Sequence, residues 1–102
     1  MIERVASQVD EIAMLCRRFG VRRLDVFGSA VSGEFQAGSS DVDFLVELDP
    51  PEGQSRFDAF FGLKESLELL LGVPVDLVDP SALRNPFFAA GVESSRTELY
   101  AA

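Results

Sequence analysis

Apolar residues recur at steps of three and four through the first nineteen positions: Ile2, Val5, Val9, Ile12, Cys16 and Phe19. That spacing predicts an amphipathic helix over 2–19, and Gly20 is a natural stop. From Val21 the period changes to two. Leu24 and Val26 share one face of a short strand ending at Phe27, and Asp25 and Phe27 share the other. Ser29 is placed to cap a helical turn through Ser32, closed by Gly33. Residues 34–40, with the polar Gly38-Ser39-Ser40, read as loop. Val42 to Leu48 is a largely apolar run that predicts a buried second strand, broken off by Pro50-Pro51 and Gly53.

A second helix is predicted from Ser55 or Asp58 to Leu71, with Phe57, Phe60, Phe61, Leu63, Leu67 and Leu70 among its apolar positions and Gly72 as its end. Val73–Val78 predicts a third strand. Asp79-Pro80-Ser81 opens a turn with one helical turn, and Asn85-Pro86 starts a last helix holding Phe87, Phe88 and Val92. Leu99-Tyr100 reads as a short returning edge strand. The order α-β-(α)-β-α-β-α-(β) predicts an α/β (α+β) fold, a small mixed β-sheet flanked by helices.

Composition narrows what such a fold can do. The 102 residues suit one domain spanning 1–102. Hydrophobic content of 47% against 25% charged residues places the chain among globular rather than disordered proteins. No apolar stretch reaches the roughly 18 residues needed to span a bilayer. The start, Met1-Ile2-Glu3-Arg4, lacks the layout of a signal peptide, so a cytoplasmic location is expected.

There is one cysteine, Cys16, and no histidine. An intrachain disulfide, a Cys/His zinc site and Ser-His-Asp or Cys-His catalysis are thereby excluded. A general base must be Asp or Glu, and a metal must be held mainly by oxygen. The net charge of −8 opposes non-specific binding to a polyanion. It suits a basic protein partner or a metal-chelated nucleotide better, although it also simply keeps a small domain soluble.

Within these bounds the candidate chemistry is Asp41-Val42-Asp43 at the head of the second strand. Residues two apart on a strand face the same way, about 7 Å apart along the backbone. Two such carboxylates are costly together unless they share a cation. Mg²⁺ fits, because it takes one or two protein carboxylates and fills its shell with water and substrate phosphates. Gly28-Ser29 upstream offers backbone N–H groups to those phosphates. Asp76, in the apolar third strand, adds a third carboxylate if strands two and three are neighbours, either as general base or on a second ion. Each residue also has a plain reading: Asp41 as a turn or capping residue, Asp43 and Asp76 as exposed strand positions. Their combination with Gly-Ser is far more specific than any one of them.

These residues carry a resemblance. Val26-Phe27-Gly28-Ser29, Gly33 and Ser40-Asp41-Val42-Asp43-Phe44-Leu45-Val46 resemble the signature of the polymerase-β-like nucleotidyltransferase superfamily. With Leu63-Lys64, Leu70-Leu71-Gly72, Val75-Asp76-Leu77-Val78 and Leu83-Arg84-Asn85-Pro86-Phe87-Phe88, nearly the whole chain is similar to the minimal nucleotidyltransferases of prokaryotes. The resemblance implies that Gly28 and Ser29 bind the nucleotide, and that Asp41, Asp43 and Asp76 bind metal and catalyse. It also implies Mg²⁺, with two ions accommodated, and ATP as substrate. Such relatives pair with a HEPN-domain toxin and act as its antitoxin by transferring AMP to a toxin tyrosine. The alternative is an antitoxin that neutralises by binding alone.

Relatives often carry arginines after Gly-Ser, where this chain has Ala30, Val31 and Ser32, so the triphosphate meets less positive charge. Nucleotide transfer to a small molecule is disfavoured, since relatives that do it carry an additional helical domain for which the chain leaves no room. A template-directed polymerase would need a basic groove.

Among the remaining residues, Asp25 is expected at a rim or in solvent, Arg22 and Arg23 at a solvated strand entrance, and Cys16 in the core. The nine phenylalanines are expected mostly in the core. Phe60, Phe61, Phe87 and Phe88 are candidates for a partner surface.

Overall fold

Residues 1–102 are described by a computed structural model. The first amphipathic segment forms two helices rather than one, α1 (Glu3–Ala6) and α2 (Val9–Phe19). The ladder breaks at Gln8, whose backbone leaves helical geometry at φ −123°. The Arg4 carbonyl then takes its hydrogen bond from the Gln8 side-chain amide at 2.9 Å. The predicted stripe still faces inward, with Val5, Ile12, Cys16 and Phe19 buried. Burial pushes the Cys16 thiol up to about 12, leaving it a small core hydrophobe.

Strands β1 (Val21–Phe27), β2 (Val42–Leu48), β3 (Val75–Val78) and β4 (Thr97–Ala101) form one mixed sheet in the order β3-β2-β1-β4. β1 pairs antiparallel with β2 and β4, and β2 pairs parallel with β3. The parallel pair needs a crossover, which α4 (Arg56–Leu71) provides. The Ser55 hydroxyl caps α4 by accepting the Asp58 amide at 3.0 Å, and Gly72 ends it in a left-handed conformation.

The two-residue period divides the sheet as expected. Leu24, Val26, Val42, Phe44, Val46, Leu48, Val75 and Leu77 form one face, with α2 and α4 in the same core. Ala59, Leu63, Leu67 and Leu71 bring the apolar side of α4 into it. On the opposite face Phe27 and Leu45 pack with Val92 of α5 (Pro86–Ser95), with Val78, Leu83 and Phe88 at the margin. Phe88 sets its ring edge-on to Phe27, with centroids 5.9 Å apart.

A 3-10 turn (Pro80–Arg84) leads into α5, which opens on Asn85. The Asn85 side-chain oxygen accepts the Phe87 and Phe88 amides at 3.0 and 3.3 Å. Asn85→Ala leaves those amides without their cap. It is expected to lower stability by about 1 kcal/mol, a drop of roughly 4–8 °C in a thermal melt.

The phenylalanines are not mostly buried, and of the four candidates for a partner surface Phe61 and Phe87 are exposed. Phe19, Phe27 and Phe44 are buried, but Phe57, Phe61 and Phe87 are largely exposed. Helical spacing alone does not distinguish a core side from an outer side that is also apolar. Phe57, Phe60 and Phe61 cluster at the start of α4, with neighbouring ring centroids 4.7 and 5.3 Å apart.

Candidate functional site

The candidate site stands where β1 ends and β2 and β3 begin. In the register, Asp43 lies opposite Phe27 on one side and Asp76 on the other. Asp43 and Asp76 are therefore direct neighbours on parallel strands and project from the same face, the one that carries α5. Asp41 sits just ahead of β2, exposed. A turn presents it: the Ser39 and Ser40 amides donate to the Gln36 carbonyl, and the Gln36 amide donates to Ser40 Oγ at 3.1 Å. The Val42 amide donates to the Pro74 carbonyl at 3.0 Å, fixing the level at which β2 meets β3. Beside Asp76, the Val75 amide donates to Glu68 Oε2 of α4 at 3.0 Å, which satisfies the outer edge of the sheet there.

The electrostatics follow from this placement. Asp43 is half-buried, and burial, then Asp76, then Asp41 push its carboxyl from 3.8 up to about 6. All donors are oxygens, and their like charges oppose one another. Such a set suits a hard divalent cation. The three carboxylates do not already surround one point as a ready-made cage. Mg²⁺ asks for no cage, since one or two carboxylates suffice when water and phosphate complete its shell.

Gly28 is indispensable to this arrangement on two counts. Its φ of 74° lies in the region that side chains rarely adopt, and a Cβ there would stand 2.5 Å from Asp43 Oδ2. The turn thus brings bare backbone against the carboxylate. Ser29 begins the short helix α3 (Ser29–Ser32) rather than capping it, because Gly28 occupies the cap position. The Val31 and Ser32 amides both donate to the Gly28 carbonyl at 3.0 Å. The Ser29 and Ala30 amides ahead of them have no acceptor within the helix. The Gly28 amide is committed, donating to Ser95 Oγ at the end of α5 at 2.8 Å.

Asp25 corrects the expectation of a rim or solvent position. It is fully buried on the face that carries Phe27 and Asp43. Arg96 Nε binds its Oδ2 and Arg23 Nε its Oδ1, the latter at 3.1 Å. Arg96 also reaches Glu93 at 2.8 Å, and Arg23 lies 3.6 Å from Glu98. Arg23 is therefore an ion-pair partner and not merely a solvated strand entrance. No spacing in the sequence links positions 25 and 96, or 28 and 95. These contacts arise only when α5 lies across the sheet.

An apolar cleft of about 290 Å³, lined by Val46, Leu48, Arg56, Phe57, Phe60, Phe61 and Asp79, lies at the other end of β2 from Asp43. It is no part of the carboxylate site.

Comparison with known proteins agrees with this fold. The protein adenylyltransferase MntA of Thermococcus cleftensis is 46% identical over 71 residues, 70% of this chain and 68% of the relative. A solved structure provisionally assigned as a minimal nucleotidyltransferase is 35% identical and superposes with a TM-score of 0.73, covering 93% of this chain and 92% of the other. A toxin–antitoxin structure with AMP-PNP is 26% identical with a TM-score of 0.64, covering 92% of this chain and 73% of that one. The family described as "Nucleotidyltransferase domain" matches residues 12–99, which include Gly28, Ser29 and all three carboxylates. The chain is a nucleotidyltransferase and belongs to that family.

Proposed function

We propose that the chain transfers AMP from ATP to a tyrosine hydroxyl of a HEPN-type toxin, as the antitoxin of that pair. The observation that carries this reading is the pairing of Asp43 with Asp76 across β2 and β3, with the Gly28 turn against Asp43. The likeness to a protein adenylyltransferase supports a protein acceptor, and the likeness to a toxin–antitoxin structure holding AMP-PNP supports the nucleotide and the partner.

The residues divide the work by position. Asp41 and Asp43 would hold Mg²⁺, and Asp43 is mostly ionised at neutral pH with its carboxyl at about 6. When bound, the cation supplies neutralising charge to the phosphates. The Ser29 amide and hydroxyl meet a phosphate oxygen. Asp76, exposed on the edge strand, is open to an acceptor and takes the tyrosine proton. The tyrosine oxygen bonds to the α-phosphorus as the bond to pyrophosphate breaks. Positive charge absent after Ser29 is supplied by a basic partner, which the net charge of −8 also attracts.

The test combines the chain, ATP, Mg²⁺ and a candidate HEPN-type toxin from the same genome. Mass spectrometry is expected to find AMP on a toxin tyrosine, and none with an Asp41→Ala, Asp43→Ala double variant. An unmodified toxin after incubation with the wild-type chain would sink the transfer reading. The exposed Phe57, Phe61 and Phe87 favour a second reading, neutralisation by contact. Under it the double variant still silences the toxin in cells.

A further inference from the structure

We infer that Ser95, at the end of α5, is a positioning residue for the nucleotide-binding turn. The inference rests on the proposed role of Gly28-Ser29. Its motivation is a two-point attachment between elements far apart in the chain. Ser95 Oγ accepts the Gly28 amide at 2.8 Å, and the adjacent Arg96 grips the buried Asp25 three residues upstream of Gly28. The Thr97 hydroxyl in turn donates to the Ser95 carbonyl at 3.2 Å. The end of α5 is thereby fastened to β1 and to the turn that follows it.

The turn needs this support. Gly28 has a glycine's conformational freedom, and its φ of 74° is one of several backbone states open to it. Held by Ser95, the peptide keeps the backbone against Asp43 Oδ2 and fixes the start of α3 at Ser29. Released, the turn samples other conformations and the nucleotide must order it on binding, which weakens affinity. Because the Gly28 amide is spent on Ser95, the side chain at 95 shapes the phosphate site without itself meeting the nucleotide.

The experiment uses the full chain with Ser95→Ala and Ser95→Thr. Amide hydrogen exchange at Gly28, read by NMR, reports the contact without any nucleotide. Titration with an ATP analogue and Mg²⁺ reports its consequence, and steady-state rates separate KM from kcat. In Ser95→Ala the Gly28 amide is expected to lose protection. Affinity should fall about five- to tenfold, the effect of one hydrogen bond, with a matching rise in the KM for ATP and little change in kcat. Ser95→Thr retains the hydroxyl and is expected to restore all three. An unchanged Gly28 exchange rate, or lost protection with unchanged affinity, overturns the inference. A wild-type chain that binds no nucleotide overturns the functional reading beneath it as well, whereas equal binding by wild type and Ser95→Ala overturns this inference alone.

Discussion

Asp43→Asn is expected to cut nucleotide transfer by about 10²–10³-fold, on the order of other losses of transition-state charge stabilisation, while making the metal-free protein more stable at neutral pH. Both effects come from one cause. Asp43 lies between burial and two like charges, which raise its carboxyl from 3.8 to about 6. Its folded-state value thus exceeds its unfolded one, and between pH 4 and 6 the folded chain holds more protons. Stability is therefore full below about pH 4 and declines as pH rises through about 6. Asparagine carries no charge to repel. The variant should match the wild type near pH 4 and melt above it at pH 7 and beyond, in chelator-treated buffer. Added Mg²⁺ should narrow the difference by stabilising only the wild type. A variant that transfers nucleotide normally removes Asp43 from the mechanism. A melting difference independent of pH removes the charge crowding. The comparison also shows where fold and function conflict, since the site is held in an arrangement that the isolated fold resists.

Arg96→Met, in contrast, is expected to destabilise the fold by about 3–5 kcal/mol, because it strips the main partner from a buried carboxylate. The Asp25 side chain is 1% exposed and that of Arg96 20%. Arg23 is a poor substitute: it is 39% exposed, reaches only Oδ1, and is shared with Glu98. Hydrogen bonding to Asp25 holds the Arg96 guanidinium above its ordinary range, against the opposing effect of burial, with Glu93 adding to it. A thermal melt should fall by at least about 12 °C. Adding Asp25→Leu to Arg96→Met removes the orphaned charge, and much of the loss should return. A single variant within a few degrees of the wild type would show that the pair contributes little. Since Arg96 adjoins Ser95, the same variant tests whether disturbance of α5 reaches the Gly28 turn.

Legibility in the sequence varied with the range of the interaction. The elements were readable where local chemistry sets them: Gly20, Gly33 and Gly72 end helices, Ser55 and Asn85 cap them, and the alternation in Val42–Leu48 separates Asp43 and Leu45 from Val42, Phe44 and Val46. The interruption at Gln8 was not readable, because the apolar stripe continues through it. Nor was the exposure of Phe57, because an apolar residue on a helix carries no mark of whether another element will cover it, although the crowding of aromatics did single out Phe61 and Phe87 as candidates for a surface.

For the site, the two-residue period put Asp43 on the face of Leu45, whereas Asp41 lies just ahead of β2 on a turn that the strand period does not govern. Whether Asp76 would join them depended on β3 pairing beside β2, in parallel, at a register that sets residue 76 against 43. A shift of one residue would have turned it to the other face. Burial of Asp25 depended on α5 bringing Arg96 across the sheet, and the poise of Gly28 on Ser95, 67 residues away. Patterning is thus determined by neighbours along the chain, and oxygen-only chemistry by a composition without histidine and with one cysteine. The register, the ion pair and the anchored turn were decided by tertiary structure, because each joins groups that meet only once the sheet has assembled.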